Sequence, residues 1–219
     1  MKFFCSCVLL CLLLVSGCIF PSQPEITVTY YTLEYQPPLN HMLNPLDASI
    51  KIARFSSSQE MNTQAILFSS QKGVQENYNY SRWRAFPADL CADYLARDMR
   101  YSQLMAVAPG NGIARFRLEG ALDDFLRLDR PEGMKVRLAL TCTLLDQENR
   151  GNVPDYLLFQ RNYVQEIKVE DDSPLTLALA MSQAMAAFSQ QVQYDIYMAI
   201  QARLMEEKTP ERRLSGQNP

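Results

Sequence analysis

The chain is poor in the residues and motifs that most enzymes rely on. One histidine, His41, stands among 219 residues. The sequence holds no Walker-type phosphate loop, no GxGxxG turn, no CxxC pair and no HExxH helix. Charge of one sign is not in large excess either. The net charge of −3 argues against a basic face for nucleic acid or anionic membranes. No apolar run reaches the roughly 20 residues that a helix needs to cross a ~30 Å hydrocarbon core. What is present is ordinary globular composition, with 47% hydrophobic and 21% charged residues. That is enough to bury a core without metals or staples in a single domain.

The N-terminus departs from this pattern. Lys2 gives a positive start, and Phe3 to Val15 is an almost unbroken apolar run of 13 residues, the length of a signal-peptide core. Ser16 and Gly17 are small, as a peptidase site requires, and Cys18 follows at once. Val15-Ser16-Gly17-Cys18 resembles the bacterial lipobox, in which the cysteine thiol is diacylated and becomes the first mature residue. Ile19, where an aspartate would resemble an inner-membrane retention signal, makes the outer membrane the expected destination. Each buried methylene contributes about 0.8 kcal/mol, so two or more chains anchor firmly. The expected divisions are a signal peptide over 1–17, a lipidated tether over 18–25, a domain over 26–205 and a flexible tail over 206–219.

Cleavage removes Cys5, Cys7, Cys11 and Lys2, leaving the mature chain slightly more acidic. Cys91 and Cys142 then remain in a compartment that permits disulfides. Both fall on inward faces of their elements, which favours two buried free thiols over a pair. With one histidine in the chain, a metal site using them is not expected.

Along the mature chain, Ile26–Tyr35 is rich in β-branched and aromatic residues and reads as a strand. Ser49–Phe55 alternates as a second strand. Ala65–Ser69 and Val74–Tyr80 read as a hairpin turned at Gln71-Lys72-Gly73. Pro87 opens a helix carrying Leu90, Cys91, Tyr94, Leu95 and Met99 at helical spacing and ending near Arg100. Leu104–Val107 is a short strand. Two long strands follow. Phe116, Leu118 and Leu122 share one face of the first, against Arg115, Arg117 and Glu119. Met134, Val136, Leu138, Leu140, Cys142 and Leu144 share one face of the second. Arg130-Pro131-Glu132-Gly133 turns between them. This period of two fits an antiparallel sheet with one wet face. Tyr156–Val169 is a third long strand. Asp171-Asp172-Ser173-Pro174 then caps a helix of about 30 residues, long for a globular domain. It is lined by Leu177, Met181, Ala184, Met185, Phe188, Val192, Ile196, Ile200 and Leu204. The expected fold is α+β: a mostly antiparallel sheet with a short central and a long C-terminal helix on one face.

The order of these features carries a further likeness. A lipobox is followed by "YYTLEY", by a tryptophan in "YSRWRAFP" ahead of a proline-started helix, by "FRLEGALDDF" and "KVRLALTCTLLD", and by a long helix opening "SPLTLALAMSQAM". That set resembles the ABC-type transport auxiliary lipoproteins, including the paraquat-inducible intermembrane transport type. The resemblance implies a fold like the N-terminal domain of the Tol-system propeller protein and no catalytic residues or cofactor. It also implies work beside a mammalian-cell-entry-type substrate-binding protein and its permease–ATPase, with phospholipid or another apolar cargo. One departure is the loop Pro37–Leu46, with three prolines and His41.

The function these readings imply is docking by a non-enzymatic accessory lipoprotein, on the periplasmic face of the outer membrane. Tyr30, Tyr31, Tyr35 and Trp83 are the candidate interface residues, since aromatic side chains often anchor interfaces. The same residues could instead pack in the core. The open edge of the first strand is a candidate for strand addition, and a homo-oligomer is possible. The alternative is a periplasmic carrier holding an acyl chain between sheet and helix, which needs a cavity of roughly 300 Å³ or more. Hydrolysis is disfavoured, because nothing brings Ser173 and His41 together.

Overall fold

The computed structural model describes residues 26–39, 43–151 and 153–215. The signal segment, the Val15–Cys18 box, the tether and His41 lie outside them. The strands are β1 (Thr29–Tyr31), β2 (Ser49–Ile52), β3 (Ser56–Ser57), β4 (Ala65–Ser69), β5 (Glu76–Trp83), β6 (Ala106–Val107), β7 (Phe116–Arg130), β8 (Gly133–Asp146) and β9 (Leu157–Val169). The helices are α1 (Pro87–Ser102), the single turn α2 (Val153–Tyr156) and α3 (Pro174–Ser215).

β7 organises the sheet. One of its edges pairs with β8 along its whole length, antiparallel, and β8 pairs in turn with β9. Its other edge takes three short strands in succession, all parallel: β2 at Phe116–Leu118, β3 at Ala121–Leu122 and β4 at Leu126–Leu128. β6 extends the sheet beyond β2, and β5 then β1 extend it beyond β4. The fold is α+β, as expected. Its long strands are antiparallel, but the N-terminal strands join β7 in parallel, so the sheet is mixed.

The alternation in β8 buries Val136, Leu138, Leu140, Cys142 and Leu144. In β7 it changes phase. Leu122 pairs with Leu140, but Asp124 pairs with Ala139, so a bulge at Asp123 adds one residue to the strand. The extra residue returns Phe125 to the core face opposite Leu138, where period two from Leu122 would have placed Asp124. Gly120 sits on the same face, and a Cβ there would lie 2.6 Å from the Phe55 ring. Only glycine admits Phe55 into that space.

Both helices cover this face. Pro87 occupies the first turn of α1, Asp89 and Arg100 complement its dipole, and Gln103 closes it in the left-handed region at φ 53°. Ser173 caps α3: its Oγ accepts from the Thr176 N–H at 3.2 Å, while Asp171 accepts from the Ser173 N–H at 2.8 Å. Leu177, Met181, Ala184, Met185, Phe188, Val192, Ile196 and Ile200 are buried against the sheet and α1. Met181 and Met185 are therefore core residues. The helix is longer than its apolar periodicity indicates and continues to Ser215, through residues read as a tail.

The first strand is shorter than its β-rich sequence suggests. Only Thr29–Tyr31 pairs; from Thr32 the chain becomes a strap across α1 and α3. The Glu34 N–H donates to Ser182 Oγ at 2.9 Å instead of to a ladder. Tyr94 donates its hydroxyl to the Leu33 carbonyl, and Tyr197 donates to that of Asn44 at 3.0 Å. The strap covers α3 at Ser182, which is buried; Ser189 and Gln193 are buried further along the helix.

Candidate docking surface

The four aromatic candidates divide. Trp83 is 2% exposed and meets Phe125 edge-on at 5.0 Å between ring centroids. It is a core residue packed on Phe125 of β7, and it offers no surface to a partner. Tyr35 is also turned inward. Its hydroxyl donates to Asp98 at 2.7 Å, and burial together with that carboxylate raises its pKa. The Arg97 guanidinium lies 4.5 Å above both the Tyr35 and Tyr94 rings and donates through Nε to Asp98 at 2.8 Å. Tyr35 thus joins strap to helix. Tyr31 is partly buried against the core. Tyr30 alone stands out, 62% exposed.

Cys91 and Cys142 are free and buried. Burial raises both thiols, Cys142 to about 12, and neither is a nucleophile at neutral pH.

A buried carboxylate ties the end of β8 to α3. Asp146 accepts from Arg115 Nη2 at 2.9 Å, Asn149 Nδ2 at 2.9 Å, the Glu148 N–H at 3.2 Å and Arg203 Nε at 3.3 Å. Burial opposes its charge, but these donors outweigh burial and hold the carboxyl below its ordinary value. Arg115 also pairs with Glu207 on α3. The arrangement is a clamp with its donors and acceptors matched.

Sequence reasoning missed the outer side of α3. From Pro174 to Met205 its exposed residues are Leu175, Leu179, Gln183, Gln190, Gln191, Tyr194, Met198, Ala202 and Met205. None is charged across about nine helical turns. An ordinary surface helix carries charge on its solvent face, whereas interface cores are depleted in charge and enriched in aromatics and methionine. The apolar residues facing inward dominated the pattern; a count of charges by position would have revealed the outer stripe. β9 lies beside it, with its second edge unpaired among the described residues. Gln165 on β9 donates to Gln191 on α3 at 3.1 Å, so strand edge and helix face form one continuous surface.

A groove of about 510 Å³ between β2 and α1 has Ala85, Ala92 and Ala96 along its floor. Its rim carries Lys51, Arg54 and Arg100 beside Asp89 and Asp93. Arg54 already holds Asp89 through two hydrogen bonds of 2.7 and 3.0 Å. The mixed signs favour no one class of charged ligand. No described helix is long and apolar enough to cross a membrane.

No protein-family model matches this sequence, and no curated protein matches it. Solved structures share its fold. A Xanthomonas campestris protein assigned to the DUF330 family model superposes with a TM-score of 0.75 at 15% identity, over 81% of this chain and 99% of that one. An uncharacterized protein superposes with a TM-score of 0.60 at 16% identity, over 78% of this chain and 99% of its own. At these identities the likeness is one of fold.

Proposed function

We propose that the chain is a periplasmic accessory lipoprotein, anchored to the outer membrane through Cys18. In this reading it serves an ABC-type, mammalian-cell-entry-type intermembrane lipid transport system by docking transport proteins, and it catalyses no reaction. The lipobox supports the anchor, and the order of sequence motifs supports the system. The observation that carries docking is the charge-free solvent face of α3 beside the open edge of β9. Its exposed residues carry no charge, the Asp195–Arg161 ion pair at its border with β9 is already matched at 2.8 Å, and Leu179, Tyr194 and Met198 supply the contact. The occupant in this reading is the system's substrate-binding protein.

The carrier reading has less support. The interface between helix and sheet is filled by Leu138, Leu140, Met181, Met185 and Phe188, each at most 1% exposed.

The test is binding of the acylated full chain, in detergent, to the host's mammalian-cell-entry-type protein. Leu179→Glu with Tyr194→Glu should weaken binding about tenfold or more, a loss of at least roughly 1.4 kcal/mol, while thermal stability stays near wild type. Absence of binding by the wild type contradicts docking. Self-association abolished by the same pair reassigns the face to a second copy of this chain.

A further inference from the structure

We propose that an apolar strip on β1 and β5 rests on the lipid surface to which Cys18 is anchored, giving the domain one fixed orientation on its membrane. The proposal builds on the reading that Cys18 is acylated. The strip consists of Ile26, Val28, Tyr30 and Tyr80, which are 65%, 38%, 62% and 54% exposed. Thr29 pairs with Ser81 and Tyr30 with Arg82, so the chain entering β1 runs beside Tyr80.

Single exposed apolar residues are common on any protein. Three things distinguish these four. The first is the scarcity of charge: residues 26–33 and 77–81 contain no Asp, Glu, Lys or Arg. The cation at the strip's border is Arg82, opposite Tyr30; its Nη1 donates to the Tyr78 and Ser81 carbonyls at 2.6 and 2.9 Å, and a guanidinium there suits headgroup phosphates and is not stranded in hydrocarbon. The second is residue type. Two tyrosines beside isoleucine and valine suit the boundary between headgroups and acyl chains, where amphipathic rings concentrate.

The third is reach. Cys18 lies eight residues before Ile26. An extended tether of that length spans at most ~28 Å, and a flexible one averages ~16 Å. Tethering over such distances gives effective concentrations near the millimolar range. A strip too weak to bind a membrane alone is then held against it. A protein strand is a poorer occupant, because β1 pairs over only three residues and strand addition draws its affinity from main-chain hydrogen bonds.

The experiment uses the acylated full chain in vesicles of phosphatidylethanolamine and phosphatidylglycerol (3:1) containing a nitroxide-labelled phosphatidylcholine. An environment-sensitive fluorophore is attached in separate variants, Tyr30→Cys, Tyr80→Cys and Gln160→Cys. The native Cys91 and Cys142 are buried and free. Gln160 is exposed on β9, five inter-strand spacings from β1, or about 24 Å. Intact mass on each sample reports acylation independently. The expected result is quenching and a blue shift at positions 30 and 80, neither at 160, and loss of both at 30 when Ile26, Val28 and Tyr80 are changed to serine. No quenching at position 30 in an acylated sample overturns the seating and leaves the anchor standing. Equal quenching at 30 and 160 shows a domain without fixed orientation and also overturns it. An unacylated chain sinks the anchor and the seating together.

Discussion

Tyr35 and Asp98 meet across 63 positions of sequence, hydroxyl to carboxylate at 2.7 Å, with the carboxylate fully buried. This contact fixes the N-terminal strap to α1, and the Glu34 N–H to Ser182 bond fixes the same strap to α3. The N-terminal segment is thereby locked to both helices within ten residues of Ile26.

Tyr35→Phe should cost about 1–3 kcal/mol, because Asp98 remains buried with one donor fewer. Tyr30→Ser, at an exposed position, should stay within about 0.5 kcal/mol of wild type. Urea unfolding of the two variants side by side checks the contrast. Equal effects would remove the strap from the account of stability.

Stability should fall on the alkaline side. Burial raises the thiols of Cys91 and Cys142, the latter to about 12, and burial with Asp98 or Asp195 raises Tyr35 and Tyr163. Each favours the fold fully below its ordinary pKa, roughly 9 for the thiols and 10 for the tyrosines. That contribution is lost as the pH rises toward the folded values. Urea midpoints should drop between about pH 8 and pH 11. At pH 8 the folded chain should leave Ellman's reagent unreacted at Cys91 and Cys142, and urea should expose both.

On the acid side Asp146, Glu166 and Asp171 are all held below their ordinary values, and Asp146 is the buried one. Its carboxyl is held below the ordinary 3.8, so its contribution is complete above that value and is lost as the pH falls through the folded pKa. Asp146→Asn should cost about 2–4 kcal/mol by leaving Arg115 and Arg203 short of their shared partner. It should also flatten the acid limb of the stability profile. An unchanged limb would show that another carboxylate governs acid unfolding.

Gly120→Ala should destabilise by about 1–3 kcal/mol, since the new methyl group meets the Phe55 ring. Phe55→Leu in the same chain should recover part of that loss. A double-mutant cycle measures the coupling, and additivity within error would contradict the close approach.

The sequence made the long elements legible. Strict alternation in β8 and the Asp-Asp-Ser-Pro start of α3 are local signals, and the structure places both where they point. The bulge at Asp123 was not legible, because two adjacent aspartates read as a polar break and their pairing partners are set by β8. The strap reads in sequence as a continuous strand: Leu33 and Tyr35 have strand propensity, but Asp98, Tyr94 and Ser182 supply its partners from far along the chain. The parallel joining of β2, β3 and β4 onto β7 follows from crossovers that no short pattern encodes. Of the candidate interface, aromatic identity selected four residues without regard to burial. Trp83 and Tyr35 were drawn inward by Phe125 and Asp98, and the uncharged side of α3 carried no motif.

The account turns on Cys18, and the most direct measurement is intact mass with membrane fractionation of the wild type beside Cys18→Ala in a Gram-negative host. The account expects a mature chain beginning at Cys18, carrying acyl mass and found in the outer-membrane fraction, with the variant lacking both acylation and that location. A wild-type chain that is unmodified at Cys18, or that fractionates as the variant does, would contradict the anchor and the docking role built on it.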